Sequence, residues 1–145
     1  MGPNLRAEFF ASGHFHVGLM TGKTTKIQQS SIGMVDVREV AFAHVQAMKI
    51  PEAANRRFIL NNATVKWADL AKPLQETYIP LGWPLTTEID TNPSADEAYT
   101  NVAYDNRASR EVLGVQYRDY RESVTEMAAA MIALGTIKKP EQQTD

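Results

Sequence analysis

The chain has 145 residues, of which 43% are hydrophobic and 22% charged, with a formal net charge of −2. That is the size of one domain, able to bury about 68–70% of the surface its unfolded form exposes. With no more than two basic residues adjacent anywhere, the charge pattern argues against a nucleic-acid groove, and the absence of cysteine removes disulfide, zinc-thiolate and thiol-nucleophile chemistry.

No apolar run approaches the ~20 residues of a membrane span and there is no signal-peptide core, so no membrane association and a cytoplasmic location are expected. Arg6 stands where a myristoylation signal needs Ser or Thr. In chain order, Leu5, Phe9, Phe10, Val17 and Met20 predict a helix interrupted near Gly13 and Gly18 and closed by Thr21-Gly22. Lys23 to Ser31 reads as a polar loop with at most a short strand at Ile27.

The stretch from Ile32 to Leu60 is the most regular. A short apolar run through Met34 and Val35 stops at Asp36, and the period changes from two to about 3.6. Val37, Val40, Ala41, Val45 and Met48 then share a helical face and are expected to pack inward. Asp36 with Glu39 three residues on is a capping-box variant, and both carboxylates sit at the positive end of the helix dipole. Arg38 is then left to face outward or to pair with one of them. Lys49 and Pro51 end the helix, and Arg57 to Leu60 predicts a short strand.

Beyond it, Asn61-Asn62-Ala63 has turn chemistry, and Thr64 is placed to cap a helix carrying Trp67, Leu70, Ala71 and Leu74 on one face. Pro73 falls inside that helix, where it predicts a kink or an early end. Ile79 to Pro84 is a loop, Leu85 to Ile89 a short strand, and Thr91 to Thr100 a polar loop. Asp105 is expected to cap a helix with Ala108, Val112 and Leu113 inward and Gly114 as its left-handed stop. A second capping box, Asp119 with Glu122, opens the last helix, whose inward face is Tyr120, Val124, Met127, Ala128, Met131 and Leu134, with Gly135 as its stop. Lys138 to Asp145 is a polar, frayed tail.

Taken as a string, five segments carry a resemblance: Gly2-Pro3, Thr21-Gly22-Lys23, Val35 to His44, Ala53 to Leu60, and Asp105 to Gly114. In that order and spacing they resemble the C-terminal half of extended short-chain dehydrogenase/reductases, nearest the dihydroflavonol reductase and cinnamoyl-CoA reductase branch of the epimerase/dehydratase-like enzymes. The resemblance implies a helix-rich α/β fold, α+β-like in isolation, with two or three short strands. Residues 1–136 would be the substrate-binding region and residues 137–145 a polar tail. In an intact relative the Phe58 to Leu60 strand would join the edge of a nucleotide-binding sheet; without it, helical faces such as that of the last helix are expected to stay partly uncovered.

The family's chemistry needs two motifs. Dinucleotide binding uses a Gly-rich strand-to-helix turn, whose amides and helix dipole hold the pyrophosphate. The eight glycines here are scattered and form no such turn. Carbonyl reduction uses a Tyr with a Lys four residues on, the lysine lowering the phenol's pKa. None of Tyr78, Tyr99, Tyr104, Tyr117 and Tyr120 has one. No catalytic residue is therefore assigned, and the chain is expected to match the second half of an enzyme roughly twice its length.

Two cofactor positions carry over. In dihydroflavonol reductase-like enzymes the Gly-Pro loop lies along the nicotinamide of NADP or NAD, and a Ser nine residues after that Pro contacts the cofactor; here these are Pro3 and Ser12. The plain alternative is a helix-start proline and a solvent-facing serine. Phe9, Phe10 and His16 correspond to the part that closes over a small carbonyl substrate, or else are apolar core and a surface histidine. Gly33 falls where relatives place a polar side chain toward substrate, which puts a flavonoid in doubt. Asn55 replaces a usual Gly, a change that positive φ tolerates. His14 and His16 lack an evident third ligand, so no metal site is assigned. Two functional readings follow: the substrate-binding part of an NAD(P)-dependent carbonyl reductase, inactive alone, or a stand-alone binding or interaction module derived from that fold. The partner expectation is a homodimer or pairing with a missing N-terminal half.

Overall fold

A computed structural model describes residues 1–7, 11–92 and 102–140. Five helices and two strands run in the order α1 (Gly13–Met20), β1 (Ser31–Met34), α2 (Val37–Lys49), β2 (Ala63–Lys66), α3 (Trp67–Tyr78), α4 (Arg107–Glu111) and α5 (Tyr120–Ala133), with a 3₁₀ turn at Pro51–Ala53 after α2. The fold is helix-rich α/β around one small sheet. β1 and β2 pair antiparallel, with Ser31 opposite Lys66 and Met34 opposite Ala63. Ile27 and Ile89 add a single parallel bridge, all that forms of the strands expected at those positions.

The main core lies where α1, α3 and α5 meet the sheet. Leu19, Met20, Leu70, Leu74, Val124, Ala128 and Met131 are fully enclosed there. Each Leu, Val or Met so buried is worth about 1.5–3 kcal/mol of transfer free energy. The face of α5 that the sequence left in danger of exposure is therefore covered, apart from half-buried Tyr120 and from Leu134 at its C-terminal end. Asp119 accepts from the Arg121 amide at 2.9 Å to open that helix, but Glu122 does not complete the expected capping box, and Gly135 closes the helix at φ 71. Ile137, assigned above to the polar tail, is 1% exposed and belongs to the core, because the turn at Gly135 folds the chain back so that its amide donates to Met131. The packed region thus extends past residue 136.

Several expectations are corrected. The first helix begins at Gly13, not Leu5. Thr64 caps nothing; it lies in β2 and its hydroxyl donates to the Val102 carbonyl. The α3 N-terminus has no side-chain cap, and the Trp67 amide instead donates to Ser30 at 3.1 Å. Pro73 neither ends nor interrupts α3, although it removes a bond its nitrogen would give to Asp69 and such a proline costs about 3 kcal/mol. Burial of Leu70, Ala71, Leu74 and Tyr78 on both sides of it holds the helix together. Residues 57–60 form no strand, and Ile59 is half exposed. Asp105 does not cap α4: the cap position falls to Asn106, which makes no side-chain cap bond, while Asp105 one residue earlier accepts from the Arg107 amide, and Gly114 adopts φ 68 after the helix.

The largest correction concerns α2. Its capping box forms, with the Asp36 amide donating to Glu39 and the Arg38 amide donating to Asp36. Yet Val37, Ala41, Val45 and Met48 point outward, Met48 being 81% exposed. The inward stripe is Glu39, Ala43 and Ala47, spaced four apart. Ala43 packs with Ala53, Leu113 and Val115 in a second, smaller core. Small side chains let that helix approach its neighbours closely, and the buried Asp36 and Glu39 carboxylates fix its rotation.

Candidate functional site

The α2 entry and the first residues of the chain build one cavity of about 730 Å³. Its walls are the Met1–Arg6 segment, Ser12, Val37, Arg38, Ala41 and Met127. Pro3 and Ser12, nine residues apart in sequence, thus share one cavity. Ser12 reaches it as the residue immediately before α1, and Pro3 through a turn made possible by Gly2 at φ 119. Two backbone bonds fasten this turn to the start of α2: the Met1 nitrogen donates to Val35 at 2.8 Å, and the Val37 amide donates to Met1 at 2.7 Å.

Below the turn lies a charged network that composition could not reveal. Asp36 is 1% exposed. It accepts from Arg38 Nε and Nη2, both at 2.8 Å, and from the Ser123 hydroxyl at 2.6 Å. Burial pushes the Asp36 carboxyl up, but these bonds and the Arg38 amide outweigh it and hold the group well below the usual carboxylate range. The same pairing, with Glu126 as second partner, raises the Arg38 guanidinium. Glu39 extends the network by accepting from the Arg118 amide at 2.7 Å. Arg118 Nε lies 3.6 Å from Glu39 and 3.9 Å from Asp36 without a hydrogen-bond partner. With every carboxylate paired, the network has no free base; its chemistry is support, not proton transfer.

His16, expected beside the substrate, is fully buried between α1 and α5. Its Nε2 donates to the Val124 carbonyl at 3.0 Å, which fixes the Nε2–H tautomer, and Phe15 packs edge-on against its ring. Burial lowers its pKa to about 4, so it is neutral at pH 7. It is a core residue. Phe9 and Phe10 lie outside the described residues. Among the described residues no three His, Asp or Glu side chains converge as metal ligands.

Gly33 does not merely lack a side chain. A Cβ there would lie 2.8 Å from Asn61 Oδ1 and 2.9 Å from the Tyr104 ring. Tyr104, which the sequence did not single out, fills the place a side chain would take. Beside it runs a shallower groove of about 830 Å³ between β2, α4 and Tyr120. Its amides are largely turned to structure: Asn106 donates to the Asn61 carbonyl and Asn62 to the Arg118 carbonyl. His44 is exposed, its Nδ1 2.7 Å from the Val40 carbonyl one turn back. Asn55 takes φ 58, as its position requires.

The chain shares its architecture with part of Rossmann-type reductases, and its relatives are reductases of the short-chain type. In particular, a ketoreductase of Aspergillus niger is 32% identical over 98 residues, a match covering 68% of this chain and 28% of that one. The NADPH-dependent methylglyoxal reductase Gre2 of Saccharomyces cerevisiae is 27% identical over 113 residues, covering 74% of this chain and 31% of its own. The crystal structure of Gre2 from Candida albicans in complex with NADPH superimposes with a TM-score of 0.68 at 26% identity, over 92% of this chain and 41% of that one. The chain thus spans under a third of the curated relatives it matches, and no family model matches it. Among the described residues, no helix is long and apolar enough to cross a membrane.

Proposed function

We propose that the chain is the substrate-binding, C-terminal part of a dihydroflavonol reductase-like NADP(H)-dependent carbonyl reductase, its packed body reaching through Ile137. The observation that carries the reading is the cavity shared by Pro3 and Ser12, in a fold whose relatives include an NADPH-dependent reductase. These two residues would lie along the nicotinamide side of the cofactor. They suit that end alone: the sequence contains no Gly-rich turn for the pyrophosphate and no Tyr–Lys pair for the carbonyl. In this reading both are supplied by the remainder of the reductase, and the bound cofactor supplies the hydride for a small ketone or aldehyde.

The chain's own part is to form a wall of the site. Pro3, Val37, Ala41 and Met127 present apolar surface to a flat ring, and Ser12 offers a hydroxyl at the rim. Water exclusion by such a wall strengthens the polar contacts made across it. The outward apolar face of α2 supports pairing with the remaining half, since Val37, Phe42, Val45 and Met48 are each 41–81% exposed and together form an unusual uncovered stripe. A cytoplasmic location goes with this reading.

Two measurements on the purified chain test it. Titration with NADPH is expected to quench or shift nicotinamide fluorescence in a saturable way, and a panel of small aldehydes and ketones is expected to give no NADPH oxidation. Steady turnover by the 145-residue chain alone would refute the division of labour; no saturable binding would refute the cofactor role of Pro3 and Ser12.

A further inference from the structure

Gly2 stands on the Asp36 carboxylate. A Cβ added to Gly2 would come within 3.0 Å of Asp36 Oδ2 and 3.1 Å of Oδ1, and within 3.0 Å of Val37 Cγ1. At φ 119 no other residue adopts this turn without strain. The carboxylate beneath it is itself immobilised by Arg38 from α2 and by Ser123 from α5. The backbone bonds of Met1 to Val35 and Val37 straddle Asp36 and set the height of the turn above it.

We propose that Asp36 is a positioning residue for the cavity: clamped between Arg38 and Ser123, it fixes the Gly2–Pro3 turn at the distance from α2 that brings Pro3 opposite Ser12. The proposal rests on the cofactor reading above only for what the wall is used for; the clamp itself is a matter of geometry. Asp36 touches no ligand in this arrangement. It acts through the turn, so its removal is felt in the shape of one wall more than in the integrity of the core, which lies with α1, α3 and α5.

The test uses the full chain with three substitutions. Asp36→Asn keeps the shape and loses the charge that holds Arg38, whereas Gly2→Ala disturbs the same contact from above and leaves the Arg38 and Ser123 bonds in place. Ile137→Val, a small core change outside the cavity lining, controls for general loss of stability. Amide exchange at Val37, whose N–H donates to Met1, is expected to accelerate about tenfold in Asp36→Asn, near the low end of what one lost charge-assisted bond gives, and by a similar factor in Gly2→Ala, where the added methyl lifts the turn off α2. Amides in the middle of α5 are expected to keep their protection. The NADPH dissociation constant is expected to rise by a similar factor in both and to stay put in Ile137→Val.

Unchanged exchange at Val37 in Gly2→Ala, or an equal loss of NADPH affinity in Ile137→Val, overturns the proposal. Should Asp36→Asn fail to fold, Gly2→Ala decides alone. Should the unaltered chain bind no NADPH, the cofactor reading falls and the exchange data still judge the clamp.

Discussion

Acidifying the protein from about pH 7 to about pH 5 is expected to remove roughly 2 kcal/mol of stability through His16 alone. The imidazole is fully buried, its one bond is to a carbonyl, and burial lowers its pKa to about 4 from an ordinary 6.5. Between those values the unfolded chain binds a proton that the folded chain refuses. Stability therefore rises with pH across the window, is complete above the unfolded value, and falls as pH drops toward the folded one. At about pH 5 the unfolded form is nearly all protonated and the folded form about one-tenth, which gives the roughly 2 kcal/mol at 1.36 kcal/mol per unit. Asp36 contributes nothing here, because a depressed carboxylate loses its stabilisation only below its ordinary pKa near 3.8. For a domain of this length the loss corresponds to a melting temperature lower by roughly 4–8 °C. Thermal melts of the unaltered chain and of His16→Gln, which can still donate to Val124 but does not titrate, read it directly. The variant is expected to start lower and to lose less stability across the window, the buried Met1 amine, whose pKa burial also lowers, accounting for the acid sensitivity that remains. Equal acid sensitivity in the two would refute the assignment to His16.

Gly33→Ala is expected to cost about 1–3 kcal/mol, since its methyl would meet Asn61 and Tyr104 at under 3 Å; a urea midpoint unchanged from the parent would mean that Tyr104 swings aside freely. Ala43→Leu is expected to cost a similar ~1–3 kcal/mol by overpacking the small core under α2, while Val45→Leu on the opposite face stays within about 0.5 kcal/mol. The reverse order of effects in denaturant melts would show that α2 is rotated from the position described.

Local chemistry was legible wherever a residue acts on its own backbone. The Asp36–Glu39 capping box, the left-handed Asn55, Gly114 and Gly135, and the buried stripe of α5 all follow from short-range rules, and all are present. Reading failed where a distant partner decides. Thr64 is as good a cap by type as any threonine, but β1 offers it a register opposite Gly33, and the ladder wins. Pro73 is a breaker by rule, yet the apolar surface around it outweighs one lost bond. His16 sits on a segment with no clean periodicity, so nothing local distinguished a pocket histidine from a core one until α5 supplied its carbonyl.

The site divides along the same line. The nine-residue spacing of Pro3 and Ser12 could be read as a pair, but Asp36 could be read only as a cap, because its other ligand, Ser123, lies 87 residues away. The face of α2 shows why such a gap persists. Two apolar stripes run along that helix, one of Val and Met, one of Ala, and hydrophobicity alone favours burying the larger. The smaller is buried because a charged anchor at the helix start sets its rotation, and the larger is thereby left in solvent. In the proposed reading, the outward stripe that these buried carboxylates hold in place would meet the remainder of the reductase. Cavity and outward face are linked because both are presented by the same anchored helix, and a change at Asp36 is expected to disturb them together.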